Sequence, residues 1–217
     1  MAKKLPGLEP LEIGTIFCIG RNYVEHAREL NNEVPVEPLV FTKPSSSVIF
    51  DGETIKLPVQ SHDIHHEVEL VAAIAKGGKN IPEHKALSYV GGYGIGIDVT
   101  ARDIQQKAKE KGHPWTVAKG FDTFAPLSTF ITADKIADPQ NIDLQISVNG
   151  ERRQYGNTGL MIFPLAKLIS FLSGIFTLHP GDLIFTGTPK GVSAIKSNDK
   201  IEAVLDKSLT RLNVTVE

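Results

Sequence analysis

The segment from His65 to Leu70 constrains the fold because its pattern predicts a strand that carries two carboxylates on one face. Side chains alternate between the two faces of a strand, so Glu67 and Glu69 would share one face. Val68 and Leu70 would then face a core. Like charges at neighbouring same-face positions repel each other, and a half-buried strand would ordinarily avoid them. Either a solvated edge strand or a bound cation removes this conflict.

A third carboxylate, Asp98, follows the glycine-rich strand signal Gly94-Ile95-Gly96-Ile97 and could supply another oxygen ligand. Three carboxylates without a cysteine suit Mg²⁺, Mn²⁺ or Ca²⁺ better than zinc. The histidines at 62, 65 and 66 do not predict a softer metal site, because strand alternation places their imidazoles on both faces.

Length and composition set limits on the organisation and partners of the chain. The 217 residues predict a loosely held N-terminal arm over 1–12 and one domain over 13–217. A net charge of −2 with scattered Lys and Arg argues against nucleic-acid binding. The single cysteine, Cys18, excludes an intrachain disulfide, and with no signal peptide we expect a cytoplasmic protein. Every apolar run is too short to span a membrane.

Many strand signals and few helix signals, without regular alternation, predict an α+β fold. The predicted helices lie at 23–30, 101–111 (capped by Thr100) and 163–173 (ended by Gly174). The predicted strands lie at 13–19, 38–42, 47–50, 66–75, 92–99, 115–119, 127–131, 142–148, 151–155, 182–186, 200–205 and 209–216. Asn149-Gly150 predicts a two-residue hairpin turn between two of them.

The first predicted helix brings His26 and Glu29 onto one face, because they are three residues apart. A carboxylate beside an imidazole orients the ring, as is needed to deprotonate a water molecule. A solvated surface pair is the alternative. We expect Asn22 to cap this helix and Glu25 to complete a capping box. The polar composition favours a lid over about 22–34 that closes over a ligand.

Two further segments carry polar side chains that could reach a ligand at Asp98. Arg102 and Gln105 begin the second predicted helix, although solvated positions are as compatible with the pattern. Lys119 ends a predicted strand, 115–119, in which alternation would place it on one face with Trp115. It would then be partly desolvated and suited to hold a carboxylate, or else a lysine whose stem covers apolar surface.

The loop Gly187-Thr188-Pro189-Lys190-Gly191 follows a predicted strand and could expose backbone N–H groups to an anion. An ordinary tight turn is the alternative. The loop lacks the glycine, lysine and hydroxyl spacing of a phosphate loop, so the sequence does not predict nucleotide binding.

Taken in order along the chain, these motifs resemble the fumarylacetoacetate hydrolase family, and in particular its short single-domain branch of acylpyruvases and oxaloacetate decarboxylases. The resemblance extends from about residue 14 to 216. The motifs are Ile19-Gly20-Arg21-Asn22-Tyr23, His26-x-x-Glu29, Glu37-Pro38-x-x-Phe41-x-Lys43-Pro44, His65-His66-Glu67-x-Glu69, Gly91-Gly92-Tyr93, Asp98-x-Thr100-x-Arg102-Asp103, Lys111-Gly112-x-Pro114-Trp115, Ala118-Lys119 and Thr186-Gly187-Thr188-Pro189-Lys190-Gly191-Val192.

The resemblance implies a mixed β-sandwich-like roll with a few short helices, usually a homodimer, that holds Mg²⁺ or Mn²⁺. It assigns each candidate a role at its matching position. By this resemblance, Glu67, Glu69 and Asp98 would bind the metal, and His26 and Glu29 on the lid would carry out acid–base chemistry. Lys119 and Gln105 would contact the reacting substrate. Arg21, Arg102 and the Thr188 loop would help to hold it.

The implied chemistry begins with a 2-oxo acid that has a second carbonyl or carboxylate group. Stabilisation of its enolate at C3 would lead to acylpyruvate hydrolysis, oxaloacetate decarboxylation or keto–enol tautomerisation. Two alternatives stay open. One is an isomerase or decarboxylase of longer dienedioates in aromatic catabolism, and the other is a catalytically silent protein that binds small acids.

Overall fold

The computed structural model describes residues 3–217, which form sixteen strands and four short α-helices. The α-helices are α1 (Val24–Glu29), α2 (Arg102–Lys111), α3 (Thr116–Lys119) and α4 (Leu165–Ile175). The strands are β1 (Ile16–Gly20), β2 (Leu39–Lys43), β3 (Val48–Phe50), β4 (Thr54–Ile55), β5 (Ile64–His66), β6 (Val68–Ile74), β7 (Val90–Ile97), β8 (Thr100–Ala101), β9 (Ala125–Leu127), β10 (Ile131–Thr132), β11 (Asp143–Val148), β12 (Glu151–Asn157), β13 (Leu183–Phe185), β14 (Ser193–Ala194), β15 (Lys200–Leu205) and β16 (Thr210–Val216).

The strands form three sheets, which confirms the predicted α+β class and mixed roll. The largest sheet has the order β2-β1-β13-β6-β7-β9-β3, with β10 also paired to β7. A five-stranded sheet has the order β12-β11-β15-β16-β4, and β14-β5-β8 form a small third sheet. Most neighbours are antiparallel, whereas β1–β13, β3–β9 and β4–β16 are parallel. Contacts of β15 and β16 with β7 bring the two larger sheets together.

Strand β6 lies inside the largest sheet and is buried along its entire length. It pairs with β7 in a register that joins Val68 to Ile97 and Leu70 to Ile95. Both faces of this pair are covered, so Glu69 cannot reach bulk solvent, and the solvated edge strand considered from the sequence is wrong. The charges at this end of the strand must therefore be neutralised within the protein.

The expected loose arm over 1–12 is wrong for its described part, residues 3–12. The backbone N–H of Leu5 donates to Leu11 O at 2.9 Å, and Phe130 N–H donates to Pro6 O at 2.8 Å. The Leu5 side chain is fully buried in a core cluster with strands of the largest sheet. The segment is held because Leu5, Leu8 and Leu11, spaced three residues apart, supply apolar surface that packs against this core cluster.

Three local predictions are wrong because longer-range contacts decide these positions. Residues 116–119 form helix α3 instead of a strand, with Ala118 and Lys119 N–H both donating to Trp115 O. Asn22 does not cap α1, since its side chain bridges Phe163 and Thr186. Thr100 likewise does not cap α2, because its hydroxyl donates to Asp98 O.

The last helix also differs, since α4 continues through Gly174 to Ile175. The hairpin at Asn149-Gly150 is confirmed, with positive φ at both residues between β11 and β12. Within residues 3–217, no helix is long and apolar enough to cross a membrane.

Candidate metal and substrate site

The structure brings Glu67, Glu69 and Asp98 into one buried cluster. Glu67 immediately precedes β6, Glu69 is its second residue, and Asp98 immediately follows β7. The β6–β7 pairing makes these positions neighbours, and Asp98 N–H donates to Glu67 O at 2.8 Å. One carboxylate oxygen from each residue lies within 4.8 Å of the others. The three side chains can therefore bind one ion together.

Two cations from the following helices pair with this cluster. Lys119 Nζ lies 2.6 Å from Asp98 Oδ2 and 2.8 Å from Glu67 Oε2. The Arg102 guanidinium lies 2.5 Å from Glu67 Oε1 and donates to Gln105 Oε1 at 2.7 Å. Burial alone would lower the pKa of Lys119, but the two carboxylates outweigh it and raise that pKa. Lys119 is therefore an ammonium in this arrangement.

The surroundings shift the pKa values of the two glutamates in opposite directions. Burial would raise the pKa of Glu67, but Lys119 and Arg102 hold that pKa well below its usual range. The pKa of Glu69 is instead raised well above its usual range, by burial and then by the charges of Asp98 and Glu67. The Gly187 N–H that donates to Glu69 Oε2 at 2.7 Å offsets this only partly. The Glu69 side of the cluster therefore lacks positive charge.

Lys43 is a site residue whose role the sequence reasoning missed, although its motif was recognised. Its ammonium is buried 2.8 Å from Asp98 Oδ1 and donates to the backbone carbonyls of Val99, Lys119 and Phe124. Because these carbonyls use its N–H groups, Asp98 Oδ1 accepts no hydrogen bond. The sequence signal that could have identified this role is a lysine at the end of an apolar strand, because a lysine buried there requires a partner of opposite charge.

The donor set fits a hard divalent cation. All three ligands are carboxylates, Asp98 Oδ1 has a free lone pair, and the Lys119 ammonium already occupies a cationic position between Glu67 and Asp98. One oxygen from each carboxylate lies within 4.8 Å of the others, so all three could hold a single ion of this kind.

His26 and Glu29 meet on helix α1 as their spacing predicted. His26 Nδ1 lies 3.4 Å from Glu29 Oε2, and the imidazole is buried in the same cleft as the carboxylate cluster. Burial would raise the pKa of Glu29, but hydrogen bonds from His26 and from Gly191 N–H outweigh it and lower that pKa. Glu29 is thus a carboxylate that can orient the ring.

Helix α1 also contacts the loop that follows β13. Glu29 accepts the Gly191 N–H at 3.0 Å, and Lys190 Nζ pairs with Glu25 at 3.0 Å. Both contacts are exposed and polar. The helix is therefore attached to this loop mainly by interactions that cost little to break.

The remaining predicted residues line the cleft but differ in what they can offer a ligand. Gln105 is buried and held by Arg102, while the Nε atoms of Arg21 and Arg102 are buried without partners. Thr188 Oγ1 donates to Val68 O at 2.8 Å and accepts from Gln154 at 2.8 Å. The Thr188 hydroxyl therefore has no proton left for a substrate oxygen.

Comparison with known proteins identifies relatives that are similar to this chain over most of its length. A family model described as "Fumarylacetoacetate (FAA) hydrolase C-terminal" matches residues 15–217. An Arabidopsis thaliana protein named "Oxaloacetate tautomerase FAHD1, mitochondrial" is 49% identical over 188 residues, which cover 87% of this chain and 84% of that protein. A Dictyostelium discoideum protein named "Oxaloacetate decarboxylase, mitochondrial" is 50% identical, covering 86% of each chain.

A similar solved structure supports the same fold. The crystal structure of a fumarylpyruvate hydrolase from Pseudomonas aeruginosa, in complex with Mn²⁺ and pyruvate, superposes with a TM-score of 0.91. Its sequence is 36% identical, and the match covers 100% of this chain and 97% of that one.

Proposed function

The chain belongs to the fumarylacetoacetate hydrolase family, and from this premise we propose that it is a divalent-metal-dependent enzyme acting on small 2-oxo acids with a second carbonyl group. The reaction passes through a substrate enolate. Its outcome is acylpyruvate hydrolysis, oxaloacetate decarboxylation or keto–enol tautomerisation.

One observation carries this proposal: the buried carboxylates of Glu67, Glu69 and Asp98 share a cleft with His26 and Lys119. The three carboxylates are the proposed ligands of Mg²⁺ or Mn²⁺. When bound, the ion supplies Lewis-acid polarisation of the 2-oxo group. The Mn²⁺ complex of the Pseudomonas relative supports this choice of ions.

Cationic side chains in the cleft suit an anionic substrate and its enolate. Lys119 and Arg102 would place positive charge beside the oxygens on which negative charge develops. Because Lys119 is an ammonium while paired with Glu67 and Asp98, we assign it charge stabilisation rather than proton removal. Gln105 would contribute an amide to the same substrate.

Two predicted substrate contacts take narrower roles. Thr188 contributes the position of its loop, because its hydroxyl proton is already donated to Val68 O. Arg21 lines the outer part of the cleft and would hold a substrate group away from the carboxylates.

His26 is the proposed base that activates water. Donation of its Nδ1–H to Glu29 leaves Nε2 free to accept a proton from water attacking C4. Decarboxylation of oxaloacetate requires no attacking water, so the dyad is needed chiefly for hydrolysis. The lid over about 22–34 would bring His26 to the substrate as it closes.

Three further features extend the proposal beyond the site. We propose that the protein is a homodimer, that Mg²⁺ or Mn²⁺ serves as its ion, and that it acts in the cytoplasm. The two eukaryotic relatives are named as mitochondrial.

The experiment is a Mg²⁺-supplemented panel of oxaloacetate, acetylpyruvate, fumarylpyruvate and a seven-carbon dienedioate, with tautomerisation assayed separately from cleavage. Turnover of oxaloacetate or an acylpyruvate that is lost in Glu69→Gln and kept in the exposed control Glu83→Gln supports the proposal. Preference for the dienedioate indicates the isomerase alternative. Oxalate binding without any turnover indicates a silent acid-binding protein.

A further inference from the structure

Two cations at the outer part of the cleft have no acidic partner. Arg21 and Lys109 both line the cleft, and within residues 3–217 neither makes an ion pair or a side-chain hydrogen bond to the protein. Arg21 Nε is buried and unpartnered. Burial, followed by the charges of Arg21 and Arg102, lowers the pKa of Lys109 to about 8. This arrangement is unfavourable unless an anion joins it.

Both cations lie against the ring of Trp115. The Arg21 guanidinium carbon is 5.9 Å from the ring centroid, and Lys109 Nζ is 5.5 Å from it. The absence of a side chain at Gly20 leaves room for the indole of Trp115, because a Cβ at Gly20 would lie only 3.2 Å from it. Both cations therefore lie within about 6 Å of one aromatic ring, which stabilises positive charge beside it.

The backbone also directs Arg21 to this place at an energetic cost. Its φ of 59° lies in the left-handed region, which costs a residue with a Cβ about 1–2 kcal/mol. Such strained positions persist where function requires the resulting side-chain direction. The strained backbone at Arg21 and its unpartnered guanidinium therefore both indicate a ligand-binding role for this residue.

Arg21 and Lys109 line the same cleft as the carboxylate cluster. Lys119 is four residues after Trp115, about one helical turn along α3, and its ammonium lies 4.9 Å from the Phe41 ring centroid. Phe41 in turn packs 5.6 Å from Trp115. A ligand with an acidic group at each end that binds in this cleft would therefore meet both sets of charged side chains.

We propose that Arg21 and Lys109, supported by Trp115, form a second anion subsite that binds the distal carboxylate of a short 2-oxo dicarboxylate. This inference rests on the proposed function. It makes Arg21 and Lys109 specificity-determining residues that favour a dicarboxylate such as oxaloacetate over an acylpyruvate with an uncharged acyl end.

The binding test uses Trp115, the single tryptophan of the chain, as its own reporter. Malate and lactate are a matched pair of stable 2-hydroxy acids that differ by the distal carboxylate. With the Mg²⁺-loaded protein, we expect malate to change Trp115 fluorescence at a concentration roughly 10–100-fold below lactate. Lys109→Met and Arg21→Met should each reduce this ratio toward one, whereas Arg21→Lys should keep most of it.

Lys107→Met is the matched control, because Lys107 lies on the same helix and is exposed. It should leave the malate-to-lactate ratio unchanged. The kinetic counterpart is the ratio of kcat/KM for oxaloacetate to that for acetylpyruvate, which should fall roughly 10–100-fold in Lys109→Met. Equal loss on both substrates, or equal binding of malate and lactate to the unaltered protein, overturns the subsite.

Failure of the proposed function gives a different result. If the carboxylate cluster binds no metal, Mg²⁺-dependent oxalate binding is absent from the unaltered protein. If only the second subsite is wrong, Mg²⁺-dependent oxalate binding and turnover persist while the malate preference is missing.

Discussion

The buried ammonium of Lys43 lies 2.8 Å from Asp98 Oδ1, so one of the candidate metal ligands is paired to a cation that cannot reach solvent. Lys43 also donates to three backbone carbonyls. They belong to Val99 after β7, Lys119 at the end of α3 and Phe124 just before β9. This single side chain therefore links the carboxylate cluster to the backbone around it.

The first prediction concerns this link. Lys43→Met should lower the free energy of unfolding by about 3–5 kcal/mol, because it removes the buried ammonium beside Asp98 Oδ1 and leaves three carbonyls without its N–H donors. Urea unfolding followed by circular dichroism measures the change. Lys56→Met is the matched control, since Lys56 makes an exposed pair with Glu217 and should cost at most about 1 kcal/mol. Equal losses in the two variants would contradict the role given to Lys43.

The second prediction concerns metal binding. Glu69→Gln should weaken Mg²⁺ binding and lower turnover by at least about 10²-fold, because the cluster loses one of its three carboxylate ligands. Calorimetry measures the affinity. Chelator treatment should inactivate the protein, and Mg²⁺ or Mn²⁺ should restore it better than Ca²⁺, which prefers more ligands at longer distances. Unchanged Mg²⁺ affinity in Glu69→Gln would remove the carboxylate cluster from the proposal.

The third prediction concerns stability at low pH. His66 is fully buried between Gln154 and Ser193, and burial lowers its pKa to about 4 from the usual 6.5. The unfolded chain therefore binds an additional proton between these values, so stability present above pH 6.5 is lost as the pH falls toward 4. The loss attributable to His66 should be about 3 kcal/mol.

The measurement is the difference in unfolding free energy between pH 7 and pH 4.5, compared between the protein and His66→Gln. Glutamine keeps hydrogen-bonding capacity at the site but does not titrate, so its variant should lose less stability on acidification. The exposed His113→Gln variant is the control and should behave like the unaltered protein. A pH dependence that is identical in all three would show that another group is responsible.

The carboxylate pair could be predicted from the sequence because the physics is local. Strand alternation alone places Glu67 and Glu69 on one side of the chain, and the structure brings them together. Strand alternation does not place Asp98 beside them, because its proximity depends on the register of β6 against β7, which joins Val68 to Ile97.

The parts that could not be predicted depend on distant segments. Thr116 and Val117 are β-branched and favour a strand, yet the chain forms a helical turn that buries Lys119 against the carboxylates. Asn22 resembles a helix cap, but its amide instead bridges Phe163 and Thr186. Local sequence propensity cannot predict such contacts, because they form only when distant segments pack together in the folded roll.

The fourth prediction concerns the lid over about 22–34. Buried Asn22, Tyr23 and Ala27 anchor its first residues, whereas none of residues 28–34 is buried, so ordering of that later part should depend on the ligand. Hydrogen exchange in this segment should slow when oxalate is added with Mg²⁺, whereas exchange in β6 should not change. Equal protection of 22–34 with and without ligand would mean a fixed helix.

The last prediction separates the dyad from the carboxylate cluster. His26→Ala should reduce acylpyruvate hydrolysis by ~10²–10⁴-fold, about 3–5 kcal/mol of barrier, while Mg²⁺ and oxalate still bind. Oxaloacetate decarboxylation should fall less, because it requires no attacking water. Tautomerisation should fall only if His26 itself moves the C3 proton.

The comparison variant is Lys119→Met, assayed across the same three reactions. Because the Lys119 ammonium pairs with Glu67 and Asp98, its loss should impair all three reactions through weaker stabilisation of the enolate. Selective loss of tautomerisation in Lys119→Met would instead assign it the C3 proton. If His26→Ala kept full hydrolysis with normal metal dependence, helix α1 would serve as a lid alone and the His26–Glu29 dyad would have no part in the chemistry.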